Sequence, residues 1–86
     1  MNYADLVGYV SCSEYRVKTL DYLSEKSTTP TNIAKGVDIL PNHISKVLKE
    51  LSLKGLIQCL NPEARKGRIY EITEVGRKVN KDVKKL

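Results

Sequence analysis

The strongest constraint on this chain is a segment that must bury one side and display a cationic side opposite. It spans 41–54, PNHISKVLKELSLK. At about 100° per residue, Ile44, Val47, Leu48 and Leu51 fall on one face of a helix. Asn42, Lys46 and Lys49 fall opposite, with His43 and Ser45 on the flanks. The apolar face needs other elements to cover it. The polar face is either plain solvated surface or a surface for a polyanion, and the flanking sequence decides between them. Leu53 breaks the pattern, because the same angles point it to the polar side. It either turns inward where the helix ends or meets another subunit.

The segments before it read as helices. Tyr3, Leu6, Val7 and Val10 follow helical spacing over 3–10, although LVGYV would also suit a strand. Ser11 and Glu14 fit a capping box for a helix over 12–25, with Val17, Leu20 and Leu23 as its buried line. Lys26, Ser27 and Thr28 read as a connecting loop. Thr29-Pro30 opens a short helix over 30–37, with Thr as cap and Pro where a missing N–H costs nothing. Ile33, Ala34 and Val37 face inward, and small Ala34 lets a second helix cross closely. Asp38 suits a tight turn, since Asp tolerates left-handed backbone. A short helix, a turn and a helix with a cationic face form the helix-turn-helix plan.

After Gly55, a helix C-cap, the period changes. Residues 56–72 read as one β-hairpin: strands over 56–60 and 68–72 around a polar turn, NPEARKG, with basic residues at its tip. Thr73 caps a last helix over 74–86, striped by Val75, Val79, Val83 and Leu86. The expected fold is α+β, mainly α: a single domain over 1–86, a winged helix-turn-helix with a two-stranded β wing and terminal helices.

The chain has 86 residues and a formal charge of +5, which favours a polyanionic partner, nucleic acid before membrane. Its aromatics are five tyrosines, with no Phe or Trp, a poor basis for a platform that stacks single-stranded bases. No apolar run reaches the roughly 20 residues of a membrane span, and no secretory signal opens the chain, so a cytoplasmic protein is expected. Cys12 and Cys59 lie far apart and His43 is the lone histidine, which makes a poor metal set. No metal and no cofactor are expected. No nucleophile with a partnered base, no Gly-rich phosphate loop and no paired carboxylates occur in a common motif, so an enzyme is not expected.

The stretch TPTNIAKGVDILPNHISKVLKELSLKGLIQCLNPEARKGRIYEITEVGRKV resembles archaeal winged helix-turn-helix transcriptional regulators, broadly similar to the MarR and ArsR groups. The pieces that carry the likeness are TPTNIAK, HISKVLKELSLKGLI and LNPEARKGRIYEITEVG. It implies a sequence-specific regulator of transcription that binds double-stranded DNA. The alternative is a winged-helix protein–protein interaction module within a transcription or other assembly, because a fold does not fix a function.

On the first reading the 41–54 helix enters the major groove. Asn42 would pair with adenine, His43, Ser45 and Lys46 would read or approach bases, and Lys49 would meet phosphate. Arg65, Lys66 and Arg68 on the wing would reach phosphate or the minor groove. Thr29, Thr31 and Asn32, at a helix start, suit a phosphate oxygen as well as a cap. The plainer readings are helix-start chemistry for Asn42 and His43 and a solvated loop for the wing cations. The terminal stripes, Tyr3, Leu6, Val7 and Val10 with Val75, Val79, Val83 and Leu86, either pack on each other within one chain or form the interface of a homodimer. The dimer is the expectation adopted.

Overall fold

Local chemistry sets where most helices start. The computed structural model describes residues 1–86, with α1 over Tyr3–Ser11, α2 over Glu14–Glu25, α3 over Pro30–Val37 and α4 over Pro41–Leu53. Strands β1, Ile57–Cys59, and β2, Tyr70–Ile72, follow, and α5 closes the order over Glu74–Lys84. Asn2 caps α1 in a reciprocal box with Asp5, while Thr29 and Thr73 cap α3 and α5. The cap of α2 is Ser13, whose hydroxyl accepts from the Arg16 amide, and this corrects the Ser11–Glu14 box expected above. Ser11 is still inside α1, where its hydroxyl donates back to the Gly8 carbonyl. Only Ser13 has the extended backbone that a cap requires.

Two turns aim α4. Asp38 adopts left-handed backbone, φ 57°, and the Ile39 amide donates back to the Ala34 carbonyl, so the chain reverses within a few residues. At the other end Gly55 has φ 73°. The Gly55 amide donates to Ser52 O and the Leu56 amide to Leu51 O, a Schellman ending that sends the chain straight into β1.

The apolar side of α4 anchors the core. Ile44, Val47, Leu48 and Leu51 join Leu20 and Leu23 of α2, Ile33 of α3, and Leu56, Ile57 and Ile72 around the sheet. Strands β1 and β2 pair antiparallel in the register Ile57 with Ile72, Gln58 with Glu71 and Cys59 with Tyr70. Each strand is three residues long, shorter than the sequence suggested. The outer edge of β2 is not bare. Thr28, expected in a loop, exchanges both backbone hydrogen bonds with Tyr70 at 3.2 and 2.9 Å. An otherwise open edge thereby gains a partner. The fold is mainly helical, five helices with a two-stranded antiparallel sheet, a winged helix.

The terminal helices pack on each other within the chain. Val10 and Val79 are 0% exposed and Val83 is buried, so these three have no surface left for a second subunit. This corrects their assignment to a dimer interface. Tyr3, Leu6 and Val7 are half-buried against the same core, and the Tyr3 hydroxyl donates to the Asp82 carboxylate across the α1–α5 seam. The inward face of α5 is Gly76, Val79, Asn80 and Val83; Val75 and Leu86 stay exposed. Gly76 explains the rotation. A Cβ there would stand 2.0 Å from the Leu56 carbonyl oxygen, so only glycine lets α5 come this close to the sheet. A polar seam completes the α2–α5 contact. Lys84 Nζ lies 2.6 Å from Asp21 Oδ1, Asn80 donates to the same oxygen, and Arg77 donates to the Ser24 carbonyl.

Two outcomes follow. Gly76→Ala should destabilise the fold by about 1–3 kcal/mol through overpacking, whereas Gly8→Ala, exposed and with open space at its Cα, should stabilise by about 0.5–1 kcal/mol. Urea unfolding of both variants measures the contrast. The hydrogen bond from Lys84 holds the Asp21 carboxyl below its ordinary range, outweighing partial burial, with help from Asn80. A depressed carboxylate contributes stability above its unfolded pKa and loses it as pH falls through the folded value. Asp21→Asn should therefore flatten the fall of Tm on acidification below about pH 4; an acid limb identical to wild type would count against this role.

Candidate nucleic-acid interface

Burial of one side of α4 dictates what the other side shows. Asn42, Lys46, Lys49 and Leu53 form the outward ridge, all exposed, with Leu53 at 75%. Leu53 therefore does not turn inward. Ser45 and Ser52 lie on the flank nearest the wing, and His43 and Glu50 on the flank nearest α2. α4 begins without a side-chain cap, because Leu40 occupies the cap position and has no acceptor to offer.

The wing loop is held by its own side chains. Asn61 Oδ1 accepts from the Ile69 amide at 2.7 Å, and Asn61 Nδ2 donates to the Gly67 carbonyl. Arg68 Nε donates to the Ala64 carbonyl at 2.7 Å, leaving its other guanidinium N–H groups free to reach outward. Arg65, Lys66 and Arg68 are exposed. None of Lys46, Lys49, Arg65, Lys66 and Arg68 is in an ion pair; the ion pairs are Arg16–Glu50, Lys18–Glu14 and Lys84–Asp21.

Two hollows show which of these groups meet. One, of about 540 Å³, lies between α4 and the wing, with Ser45, Lys49 and Leu53 on one wall, Arg68 on the other and Ile57, Cys59 and Tyr70 below. The second, of about 400 Å³, lies between the start of α3 and the wing tip, lined by Thr29, Pro30, Thr31 and residues 65–68. Arg68 lines both. The Thr28–Tyr70 bridge is the reason, since it ties the chain just before α3 to the base of the wing. Among the helix-start residues, Thr29 is the cap of α3 and accepts from the Asn32 amide. Asn32 donates its side-chain amide to Thr28 Oγ1 at 2.9 Å, so it braces the bridge; Thr31 is exposed and uncommitted.

Two residues that periodicity did not single out bear on this surface. Tyr15 of α2 sets its ring 5.4 Å from the His43 ring, tilted by 56°. Arg16 reaches Glu50 of α4 at 3.4 Å, donates to the Tyr9 carbonyl, and lays its guanidinium 3.8 Å from the Tyr9 ring centre. These contacts join residues 28 to 34 positions apart along the chain, or cross between helices, and no local pattern announces them. No group of three or more His, Cys, Asp or Glu side chains is placed to hold a metal ion, and no helix is long and apolar enough to cross a membrane.

Comparison with known proteins agrees with this architecture. The chain is similar in structure to SP03579, a MarR family transcription regulator, at 20% identity and a TM-score of 0.79, covering 96% of this chain and 56% of that one. It is similar to the transcriptional regulator BldR of Sulfolobus solfataricus at 24% identity and a TM-score of 0.76, covering 85% of this chain and 53% of that one. It is also similar to the transcriptional repressor CouR, solved bound to a 23-mer DNA duplex, at 25% identity and a TM-score of 0.77, covering 96% of this chain and 60% of that one. The chain thus spans little more than half the length of these proteins. No curated protein sequence matches it. A family model described as winged helix-turn-helix matches residues 13–86, from the cap of α2 to the end of the chain. By that match, and by an architecture shared with MarR-family regulators, the chain belongs to the winged helix-turn-helix family.

Proposed function

We propose that this protein is a sequence-specific, double-stranded DNA-binding regulator of transcription. The supporting observation is Arg68, which lines both hollows and so joins the outward side of α4, the wing and the start of α3 in one cationic surface. On this reading α4 lies in the major groove, with Asn42, His43, Ser45 and Lys46 near base edges and Lys49 near phosphate. Arg65, Lys66 and Arg68 meet the backbone or the neighbouring minor groove, and Thr29 and Thr31 present the start of α3 to a phosphate oxygen. Cations with no carboxylate partner give up little on meeting phosphate, and the counterions they release make binding depend on salt.

A homodimer belongs to the same proposal, because a two-fold pair spaces two recognition helices over two half-sites. Its seam has to use what the intrachain α1–α5 packing leaves exposed, Val75 and Leu86 among them. The exposed Leu53 favours a second reading, a protein partner seated on the same ridge, since an apolar side chain gains little from a polyanion.

Titration with duplexes selected from a random pool, over a range of salt, tests the proposal. Lys46→Ala should weaken binding, and Arg65→Ala should weaken it for every sequence and lower the salt slope by about 1. Asn42→Ala should remove about 1–3 kcal/mol of discrimination while leaving that slope in place. Unchanged binding by all three variants refutes this placement of the surface. No binding of random duplex even at low salt, together with co-purification of a protein, favours the second reading.

A further inference from the structure

We infer that Tyr15 of α2 is a specificity-determining positioning residue of the DNA surface, acting by holding the His43 ring against its own. The inference rests on the DNA-binding reading above. His43 is the third residue of α4, on the turn whose side chains would approach base edges, and it is exposed. An exposed histidine at a helix start ordinarily samples several rotamers. Here its ring has a fixed neighbour: the 5.4 Å separation and 56° tilt lie within the range of favourable aromatic pairs.

The support is itself anchored. Arg16, adjacent to Tyr15, is tied to Glu50 of α4, and Glu50 lies two turns along the same flank as His43. α2 therefore holds α4 at both ends of one flank, through a ring pair near its start and an ion pair further on. Tyr15 is 41% exposed and stands outside the buried core, so filling that core does not account for its ring. A ring that limits His43 to one orientation sharpens whichever base contact that orientation allows, because less freedom is lost on binding. The effect falls on the difference between sequences, not on general attraction to phosphate.

The test compares wild type, Tyr15→Leu, Tyr15→Phe, His43→Ala and the double variant Tyr15→Leu/His43→Ala, with Tyr15→Met as a second truncation should the leucine variant not fold. Each protein is titrated with the selected duplex and with random duplex at fixed salt. Tyr15→Leu should cut the selected-to-random preference by about 3- to 10-fold, the scale of an aromatic pair. His43→Ala should cut it at least as much, and the double variant no further than His43→Ala alone. Tyr15→Phe, which keeps the ring, should restore the preference. In Tyr15→Leu and Tyr15→Phe, affinity for random duplex and its salt slope should stay constant. In proton NMR spectra the carbon-bound protons of the His43 ring should shift in Tyr15→Leu and hold in Tyr15→Phe, a response that a role confined to overall stability does not produce.

An undiminished preference in Tyr15→Leu overturns the inference, as does a multiplicative loss in the double variant. Equal loss in Tyr15→Phe also overturns it, by assigning the effect to the hydroxyl. A wild type that binds no duplex removes the DNA reading and this inference together. A wild type that discriminates among duplexes regardless of residues 15 and 43 removes this inference alone.

Discussion

Burial of Ile44, Val47, Leu48 and Leu51 is the constraint on which the rest of the structure depends. Each fully buried aliphatic side chain contributes about 1.5–3 kcal/mol relative to exposure, so this row sets the rotation of α4 about its axis. Once the rotation is set, Asn42, Lys46, Lys49 and Leu53 must face outward, because a helix cannot turn one side in without turning the other out. The outward cationic face is in this sense a by-product of packing. α2, α3 and the sheet cover the row; Tyr15 of α2 and Arg68 of the wing then stand beside the exposed side of α4, while Thr31 of α3 lies by the wing tip.

The wing owes its position to a small number of backbone bonds. β1 and β2 are too short to hold a long basic loop in place unaided. The Thr28–Tyr70 bridge adds a third pairing at the sheet edge, and the same Thr28 hydroxyl accepts from Asn32 in the first turn of α3. Three hydrogen bonds through Thr28 thereby tie the wing base to the α3 start. At the other side, Thr73 caps α5 while its amide and hydroxyl donate to the Leu56 and Gly55 carbonyls, and Gly76 lets the helix settle against Leu56. One short stretch after α4 thus receives both the strand pairing and the last helix.

Much of this is legible in the sequence. Apolar period, Thr-Pro at the start of α3, Asp38 in the turn and Gly55 after α4 each carry a local physical preference, and local preferences are what a sequence displays directly. The misreadings share a cause. Ser11 and Ser13 are both plausible caps, and the choice fell to Ser13 because α1 runs on through Ser11. The stripe through Val75 ignored Gly76, since a residue without a side chain registers as no preference until a neighbouring backbone needs the space. Val10, Val79 and Val83 looked available to a second subunit because a pattern shows that a face must be covered, but not by what.

The sequence by itself determined which residues of α4 are buried, where the chain turns, and that cations fall on both the helix and the wing, because all of these depend on spacing and on residue chemistry within a few positions. Only the tertiary structure decided that α1 covers α5 within one chain, that Thr28 pairs with Tyr70, that Tyr15 lies against His43, and that Arg68 joins the two hollows. Those contacts join residues distant along the chain. Their strength depends on distance and shape in three dimensions, and no periodicity in one dimension encodes either.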